Sequence, residues 1–259
     1  VYSVLTYFAS RAIQELKIAT NKADAANEAK SRYLSHMNHE IRTPLNGLLG
    51  FTDLLQESKL KPEQNEYVRY IHHASSHLLS IVNNVLDHAK IESGNMQLEY
   101  RSFSPKDEVE ASISPLYALA AQKNLSIKLQ LAEDLPPNLC GDPQRLRQII
   151  MNLAGNAVKY TATGHVTIGA SCSKGGSENY TLVLDIEDTG PGMSPETQAK
   201  IFQPFYQADD GSVRQSKGTG LGMAITYELV QLMNGHIQVE STLGSGTHVR
   251  VTLQMGVSP

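Results

Sequence analysis

Residues 39 to 44 bring together side chains that can perform nucleophilic chemistry on one helix. Glu40 directly follows His39, so its carboxylate can accept a proton from the imidazole and make the other ring nitrogen more nucleophilic. Thr43 lies four residues further on, on the same helical face. Pro44 has no amide hydrogen to donate, so we expect the helix to bend just past the histidine. The group predicts a nucleophilic His39, with His36 one turn earlier as a competitor for that role.

A second group of polar residues lies on the segment 152–160. Asn152, Asn156 and Lys159 are spaced at i, i+4 and i+7, which places them on one face of a helix. Amide oxygens can complete the ligand shell of a Mg²⁺ ion whose other ligands are phosphates and water. A lysine one turn away adds positive charge for the same phosphates. Taken alone, this pattern is also typical of an ordinary polar helix face.

Three glycine-containing strings follow, at 188–192, 218–222 and 244–247. The first comes directly after an apolar strand, where the Asp188 carboxylate can accept a hydrogen bond from the exocyclic amine of adenine while glycines admit a flat base. The second opens a helix, and free amides at a helix N-terminus suit phosphate oxygens. Alone, the first string is also typical of an Asx turn and the third of a hairpin turn.

The glycine spacing excludes the two commonest nucleotide motifs. A dinucleotide fingerprint needs a GxGxxG spacing, but Met223 stands where its third glycine belongs, and no parallel βαβ unit precedes the string. No GxxxxGK[ST] string occurs anywhere in the chain, so a P-loop is excluded as well. A nucleotide site in this chain must therefore be of another kind.

The helix that carries His39 must pack against other helices. Apolar side chains recur every seven residues, with a second row between them: Leu34, Ile41, Leu48 and Leu55, then Met37, Leu45 and Phe51. After a break at Glu57–Pro62 they resume in steps of four and three: Tyr67, Ile71, Ala74, Leu78, Ile81 and Val85, widened by Leu79, Val82, Leu86 and Ala89. One hairpin cannot bury so wide a surface, so we expect two hairpins to form a homodimeric four-helix bundle.

The pattern changes at residues 93–104, where glycine and proline interrupt the helical periodicity. Beyond this point, short strand-like runs occur at Leu125–Leu131, His165–Ala170, Tyr180–Glu187, His236–Glu240 and His248–Leu253. Helical patterns lie between them at Asp107–Gln122, Gln144–Thr161 and Gly222–Met233. The order predicts an α/β sandwich with a mostly antiparallel sheet. We therefore expect an N-terminal signalling helix or coiled coil at 1–30, the hairpin at 31–98 and the α/β domain at 99–259.

The composition narrows the classes of function. The chain has 259 residues, a formal net charge of -4 and 41% hydrophobic residues, which indicates packed domains and gives no electrostatic reason to expect a nucleic-acid partner. The sequence contains no run of about 18 apolar residues, the length that would indicate a membrane span. The two cysteines lack the spacing of a disulfide framework or a zinc site.

The string from Asn38 to Leu45, NHEIRTPL, resembles the phosphoacceptor box of the sensor histidine kinases, and its continuation NGLLGF resembles their hybrid subclass. The resemblance implies that His39 is phosphorylated, that Glu40 assists it, and that Thr43 helps to position water for dephosphorylating the partner receiver domain. Asn38 replaces the more common serine, a change that removes no reactive group.

The strings of the second domain, in their order, resemble the ATP-binding domain shared by histidine kinases, DNA gyrase and heat-shock-ninety chaperones. The resemblance implies ATP and Mg²⁺ as cofactors, with Asn156 as the metal ligand and Asp188 on adenine. It also implies a nucleotide pocket that includes the following further residues: Asn152, Lys159, Tyr160, Gly190, Gly192, Arg214, Lys217, Gly218, Thr219, Gly220, Leu221, Gly222 and Thr247. Phe202–Phe205 matches the box that precedes the ATP lid, and residues 207–217 match the lid.

The predicted function is ATP-dependent phosphorylation of His39, followed by relay to a receiver-domain aspartate in this polypeptide or in another one. An alternative is a degenerate kinase that dimerises with another histidine kinase and regulates it. A gyrase- or chaperone-type ATPase is excluded, because Asn152 stands where those enzymes place a glutamate base. We expect the chain to be the cytoplasmic portion of a membrane-anchored sensor that also dephosphorylates its receiver.

Overall fold

The computed structural model describes residues 11, 14, 17, 37, 39–175, 179–208 and 219–257. They divide into two compact units, with the boundary between Met96 and Gln97. Nearly all of the signalling helix predicted at 1–30 lies outside the described residues, as does His36. Within the described part of the chain, no helix combines the length and the apolar character needed to cross a bilayer.

The first unit is a helical hairpin. Helix α1 covers residues 39–56 and continues without interruption through Pro44, and helix α2 covers Pro62–Glu92. The turn between them coincides with the break predicted from the sequence. Pro62 occupies the first turn of α2, where a missing amide hydrogen does no harm, and the Lys61 amide donates to the Gln64 side chain. Ser93 caps the end of α2, and its amide donates to the Ala89 carbonyl.

Two side-chain pairs fix the register of the hairpin. The Arg42 guanidinium donates to the Asn83 amide oxygen at 3.0 Å, and His72 Nε2 lies 3.2 Å from the Asp53 carboxylate. On each helix the two paired positions are eleven residues apart, which corresponds to about 16 Å of helix. Both pairs therefore report the same antiparallel alignment of α1 and α2.

Few side chains of the hairpin are buried. On α1 the buried side chains are Leu45 and Thr52, and on α2 they are Val68, Ser75, Leu86 and Ala89. Six of the large apolar side chains predicted for helix packing remain exposed in the single chain: Leu48, Phe51, Leu55, Tyr67, Ile71 and Leu78. Leu54 and Tyr70, which were not among the predicted positions, are exposed as well. Each helix thus has a thin seam toward its partner in the hairpin and a broader apolar surface, which we call the open apolar face.

The second unit is built on a seven-stranded sheet. The strands are β1 (Arg101–Phe103), β2 (Ser126–Leu131), β3 (Leu139–Gly141), β4 (His165–Lys174), β5 (Asn179–Asp188), β6 (His236–Thr242) and β7 (Gly246–Val257). Their order is β1-β3-β7-β5-β4-β2, and β6 also pairs with β7. Only the pairing of β2 with β4 is parallel among the described strands. The predicted mostly antiparallel α/β fold is confirmed.

Helices pack against one face of this sheet. They are α3 (Pro105–Gln122), α4 (Pro143–Tyr160) and α6 (Gly222–Leu232). A further short helix, α5 (Pro195–Lys200), lies between β5 and α6 in the chain. Helix α4 contacts α3, α6 and the central strands β4 and β5. Burial alternates along the strands, as a sheet with one covered face requires: on β5, Leu182, Leu184 and Ile186 are buried while their neighbours are more exposed. The core of the unit lies between this sheet face and α4.

Helix α4 has clear sequence causes for its start and orientation. Asp142 is its N-cap and accepts from the Arg145 amide at 3.0 Å, and Pro143 follows at the first helical position. The second oxygen of the buried Asp142 carboxylate accepts from the Glu99 amide at 3.0 Å. The apolar side chains of α4 recur in steps of three and four and are buried: Leu146, Ile149, Ile150, Leu153, Ala154, Ala157 and Val158. Their burial turns the face with Asn152, Asn156 and Lys159 away from the sheet.

Candidate functional site

His39 and Glu40 lie at the start of the described part of α1, and both side chains are exposed. Thr43 is exposed as well, and its hydroxyl donates to the His39 backbone carbonyl at 3.0 Å. This bond from position i to i−4 is common for threonine within a helix. One turn of helix therefore presents the imidazole, the carboxylate and the hydroxyl to solvent, where another molecule can reach them.

The polar face of α4 contains two asparagines with different surroundings. The Asn152 amide nitrogen donates to the Gly222 carbonyl at 3.3 Å and to the Thr226 hydroxyl at 3.2 Å. Asn152 therefore joins α4 to the first turn of α6. Asn156 lies one turn further along, is half-buried, and its side chain makes no hydrogen bond to any described residue. Its amide remains available to a ligand.

Lys159 and Tyr160 complete the polar face at the end of α4. The Lys159 Nζ lies 4.9 Å from the centroid of the Tyr160 ring, a distance at which an ammonium ion is attracted to an aromatic face. Lys159 is half-buried and Tyr160 is exposed. The last turn of α4 thus presents a positive charge and an aromatic ring beside the Asn156 amide.

Asp188 lies at the end of β5, directly opposite Thr247 at the start of β7. Its carboxylate accepts from the Gly190 amide at 2.8 Å and also from the Thr247 amide. Burial raises the pKa of the Asp188 carboxyl, the two amides oppose this change, and the charge of Glu187 adds to it, so the pKa lies above its ordinary value. A partly buried carboxylate held by two amides is well placed to recognise a polar edge of a base.

At two positions the backbone of one segment approaches another so closely that only glycine fits. At Gly192, which has φ +67°, an added Cβ would collide with the Thr242 carbonyl, and at Gly246, with φ +103°, it would collide with the Asp188 carbonyl. The loop after β5 and the turn between β6 and β7 therefore meet through their backbones, and only glycine permits this approach. Gly190 lies beside Asp188 and Thr161 at the end of α4.

The loop before α6 forms the remaining described part of the site. The Phe205 amide donates to the Gly220 carbonyl at 3.0 Å, and the Leu221 amide donates to the Thr219 hydroxyl at 3.2 Å. Leu221 is buried, and Gly222 begins α6 next to Asn152. Arg214, Lys217 and Gly218, which the resemblance assigned to the nucleotide pocket, lie outside the described residues, as does most of the predicted lid.

Ser241 and Gln198 also position the site, although no sequence signal singled them out. The Ser241 hydroxyl accepts from the Met193 amide at 2.8 Å and lies 2.9 Å from the Thr247 hydroxyl. The Gln198 side chain donates to the Met193 and Ser241 carbonyls. Both residues tie the loop after β5 to the β6–β7 turn. The bonds from Met193 to Ser241 and from Gln198 to the Ser241 carbonyl join residues 48 and 43 positions apart, so spacing alone could not have found them.

The donor set of the pocket fits a Mg²⁺ ion that arrives with a nucleotide. The described residues contain no group of three or more histidine, cysteine, aspartate or glutamate side chains placed to hold a metal by themselves. One amide oxygen, from Asn156, is the ligand that the pocket can offer, and phosphate oxygens and water would complete the octahedron that this ion prefers.

Comparison with known proteins agrees with this arrangement. Residues 29–94 match the "His Kinase A (phospho-acceptor) domain", and residues 141–257 match the "Histidine kinase-, DNA gyrase B-, and HSP90-like ATPase" family. Together the two matches cover the hairpin and most of the sheet unit. The first match includes His39 on α1, and the second includes Asn156 on α4.

Relatives with both parts share most of this chain. It is 41% identical over 241 residues to the sensor protein GacS of Pseudomonas syringae pv. syringae, covering 93% of this chain and 27% of GacS. It is 37% identical over 245 residues to the histidine-protein kinase BarA of Escherichia coli K12, covering 95% of this chain and 27% of BarA. The chain thus spans about a quarter of the length of these relatives. The structure of this chain is similar to the crystal structure of full-length ShkA in complex with AMPPNP, with a TM-score of 0.71 and 35% sequence identity. The similarity covers 88% of this chain and 46% of ShkA. The chain therefore belongs to the sensor histidine kinase family, as its motifs had predicted.

Proposed function

We propose that this chain transfers the γ-phosphoryl group of ATP to His39 and passes it to an aspartate of a receiver domain. The observation that carries the proposal is the position of His39. It lies exposed on a helix with Glu40 and Thr43, in a chain whose other unit matches an ATPase family. Phosphoryl transfer needs mainly positioning and charge neutralisation, and these two parts supply an acceptor and a donor site.

In the proposed reaction, a nitrogen of His39 attacks the γ-phosphorus. A nitrogen–phosphorus bond forms, the bond between the γ-phosphorus and the bridging oxygen breaks, and ADP leaves. Glu40 accepts the proton from the other ring nitrogen and stabilises the positive charge that develops on the imidazole. Exposure of both side chains supports this step, because the imidazole must reach a phosphate held by another surface.

In the pocket, we assign Asp188 to adenine and Lys159 to the phosphates. Asn156 would hold Mg²⁺, which neutralises phosphate charge when it is bound. Asn152 has a different part, because its amide is committed to Gly222 and Thr226 and keeps the start of α6 beside α4. The amides that precede and open α6 would then meet the phosphate oxygens, with Thr219 ordering the Leu221 amide.

We further propose that the hairpin pairs with a second copy through its open apolar face. Eight large apolar side chains are exposed on the two helices, and Phe51 retains 69% of its accessible surface. Large apolar patches are rare on the surface of monomers and are typical of an interface. Two hairpins joined through it would form the four-helix bundle expected from the sequence.

We also propose that the same surface of α1 takes part in dephosphorylating the receiver domain. Thr43 stands one turn from His39 with an exposed hydroxyl, so it could orient a water molecule toward a phosphoaspartate docked on α1.

The direct test is labelling with γ-labelled ATP and Mg²⁺ in the wild-type chain and in His39→Gln. We expect label that is acid-labile and alkali-stable in the wild type, and a loss of at least about a thousandfold in the variant. His73→Gln is the matched control, because His73 is an exposed histidine on α2 of the same hairpin. His36→Gln tests the competing acceptor and should retain label.

Other outcomes would contradict the proposal in distinct ways. Label retained in His39→Gln but lost in His36→Gln would move the acceptor by one turn. ATP binding without label on any histidine would favour the alternative of a degenerate kinase that regulates another kinase. Absence of ATP binding would remove the pocket assignment itself.

A further inference from the structure

A lysine outside every motif holds the end of the helix that carries the pocket residues. The Lys123 Nζ donates to the Lys159 carbonyl at 2.6 Å and to the Val158 carbonyl at 2.9 Å, and it lies 3.5 Å from the Thr161 carbonyl. All three acceptors belong to the last turn of α4 or to the residue after it. A single ammonium group is therefore bound to the C-terminal end of the pocket helix.

The end of α4 needs such a partner. The last four carbonyls of a helix lack the amides that would follow in an uninterrupted helix, and a partial negative charge collects there. The Ala157 carbonyl is satisfied by the amide and the hydroxyl of Thr161. Two of the three remaining carbonyls, those of Val158 and Lys159, are the ones that Lys123 takes. A positive charge at this end also complements the helix dipole.

The backbone of Lys123 is itself held in place. The residue follows the last turn of α3, where the Leu125 amide donates to the Ala120 carbonyl and the Asn124 amide donates to the Ala121 carbonyl. Asn124 has φ +57°, and Leu125 is buried. This pair of bonds with a left-handed residue is a Schellman closure, which fixes the direction in which the chain leaves the helix. The lysine thus extends from a rigid helix end.

We propose that Lys123 is a positioning residue for ATP binding, acting by keeping the last turn of α4 closed. This inference rests on the proposed function, since it concerns the same pocket. The last turn carries Lys159 and Tyr160, and Asn156 lies just before it. If the turn frays, the charge of Lys159 no longer has a fixed place beside the Asn156 amide. Lys123 touches neither of these side chains in any described bond, so its effect on nucleotide must pass through the α4 backbone.

The test compares ATP binding by the whole chain in the wild type, Lys123→Met and Lys123→Arg, at a low temperature where circular dichroism shows each protein to be folded. Methionine keeps the length of the side chain and removes its charge and donors. We expect the Kd for ATP to rise about 5- to 20-fold in Lys123→Met and to recover at least partly in Lys123→Arg. Lys128→Met, which makes the same change at an exposed lysine on β2, should stay within about twofold of the wild type.

A second comparison separates positioning from a purely structural role. If Lys123 acts through the last turn, Lys159→Met should weaken binding less in the Lys123→Met background than in the wild type, because the two changes remove the same interaction with phosphate. Additive effects, or an unchanged Kd in Lys123→Met with only a lower melting temperature, would overturn the inference.

The remaining outcomes are also decisive. If Lys123→Met does not fold, Lys123→Gln retains a donor and should show an intermediate Kd, and a Kd equal to that of the wild type would count against the proposal. If the wild-type chain binds no ATP, the proposed function fails and this inference fails with it. If the wild type binds and all Lys123 variants bind equally, only the inference fails.

Discussion

The two units of this chain differ in how much of their apolar surface is buried. The sheet unit is closed: large side chains such as Ile150, Leu184 and Leu229 on three different elements have no exposed surface. The hairpin buries a few residues along a thin seam and leaves large apolar side chains in solvent. Since burial of apolar surface is the main stabilising contribution to folding, we expect the sheet unit to be stable by itself and the hairpin to need a partner.

The largest effect should come from one chemical change made in both units. Ile150 is fully buried on α4, and Ile71 is 48% exposed on α2. Ile150→Ala should lower the free energy of unfolding of the sheet unit by about 3 kcal/mol, through lost burial and the cavity left behind. Ile71→Ala should change the stability of a monomeric hairpin by no more than about 0.5 kcal/mol.

Chemical denaturation of both variants, followed by circular dichroism at two protein concentrations, measures this difference. The transition of the sheet unit should not move with concentration, and that of the hairpin should move to higher denaturant as concentration rises. Equal losses in the two variants at a concentration where the chain is monomeric would show that the hairpin is closed in the single chain, and the contrast would not hold.

A smaller effect, confined to association, is expected at the most exposed aromatic ring of the hairpin. Phe51→Ala should weaken the dimer by about 2 kcal/mol, a rise of roughly 30-fold in its dissociation constant, because an aromatic anchor is lost from the interface. Sedimentation equilibrium of the whole chain over a range of concentrations measures this constant. Gln56→Ala, at an exposed polar position of the same helix, is the control and should leave association unchanged. A dimer that is insensitive to Phe51 would place the interface elsewhere.

The smallest effect concerns the solvent-facing side of the sheet. Burial alone would raise the pKa of the Asp185 carboxyl, but hydrogen bonds from Arg250 and His248, each at 2.8 Å, and their positive charges outweigh burial and hold the pKa below its ordinary value. A carboxyl with a lowered pKa contributes stability above its unfolded pKa and loses that contribution as pH falls through its folded pKa.

Asp185→Asn should therefore be less stable than the wild type at pH 7, by at most about 1 kcal/mol because solvent screens the cluster. The difference should persist down to about pH 4, the ordinary carboxyl pKa, and narrow below it. Free energies of unfolding measured between pH 7 and pH 3 test this expectation. Glu196→Gln, which removes a surface ion pair with Lys200 within one helix, should show no measurable difference at any pH because solvent screens the pair. A gap that widens toward low pH would contradict the assigned cause.

Sequence periodicity predicted the long elements of the sheet unit and missed the short ones. Helices α3, α4 and α6 and strands β2, β4, β5, β6 and β7 all lie where their patterns indicated. Strands β1 and β3 have three residues each, too few for an alternating pattern, and β3 exists because β1 and β7 pair with it on either side. Helix α5 is only six residues long. These elements depend on partners that are distant in the chain, which no local pattern reveals.

In the site as well, local spacing predicted some features and missed those that depend on distant residues. The spacing of Asn152, Asn156 and Lys159 predicted a shared polar face, which α4 has. The distinct position of Asn152 could not be predicted, since its partners Gly222 and Thr226 lie 70 and 74 residues away. Lys123 was missed for a similar reason, because its acceptors are carbonyl groups, and every residue has a carbonyl whatever its type.

Strand β7 has a consequence for the order in which the sheet unit is completed during synthesis. It pairs with β5 over ten residues, with β6 over seven and with β3 at its far end, yet it comes after all of them in the chain. Until β7 leaves the ribosome, β5 and β3 each lack a neighbour, and Asp188 lacks the strand that brings Thr247 opposite it. The nascent unit therefore exposes unpaired strand edges late into translation, the condition under which chaperones are most needed.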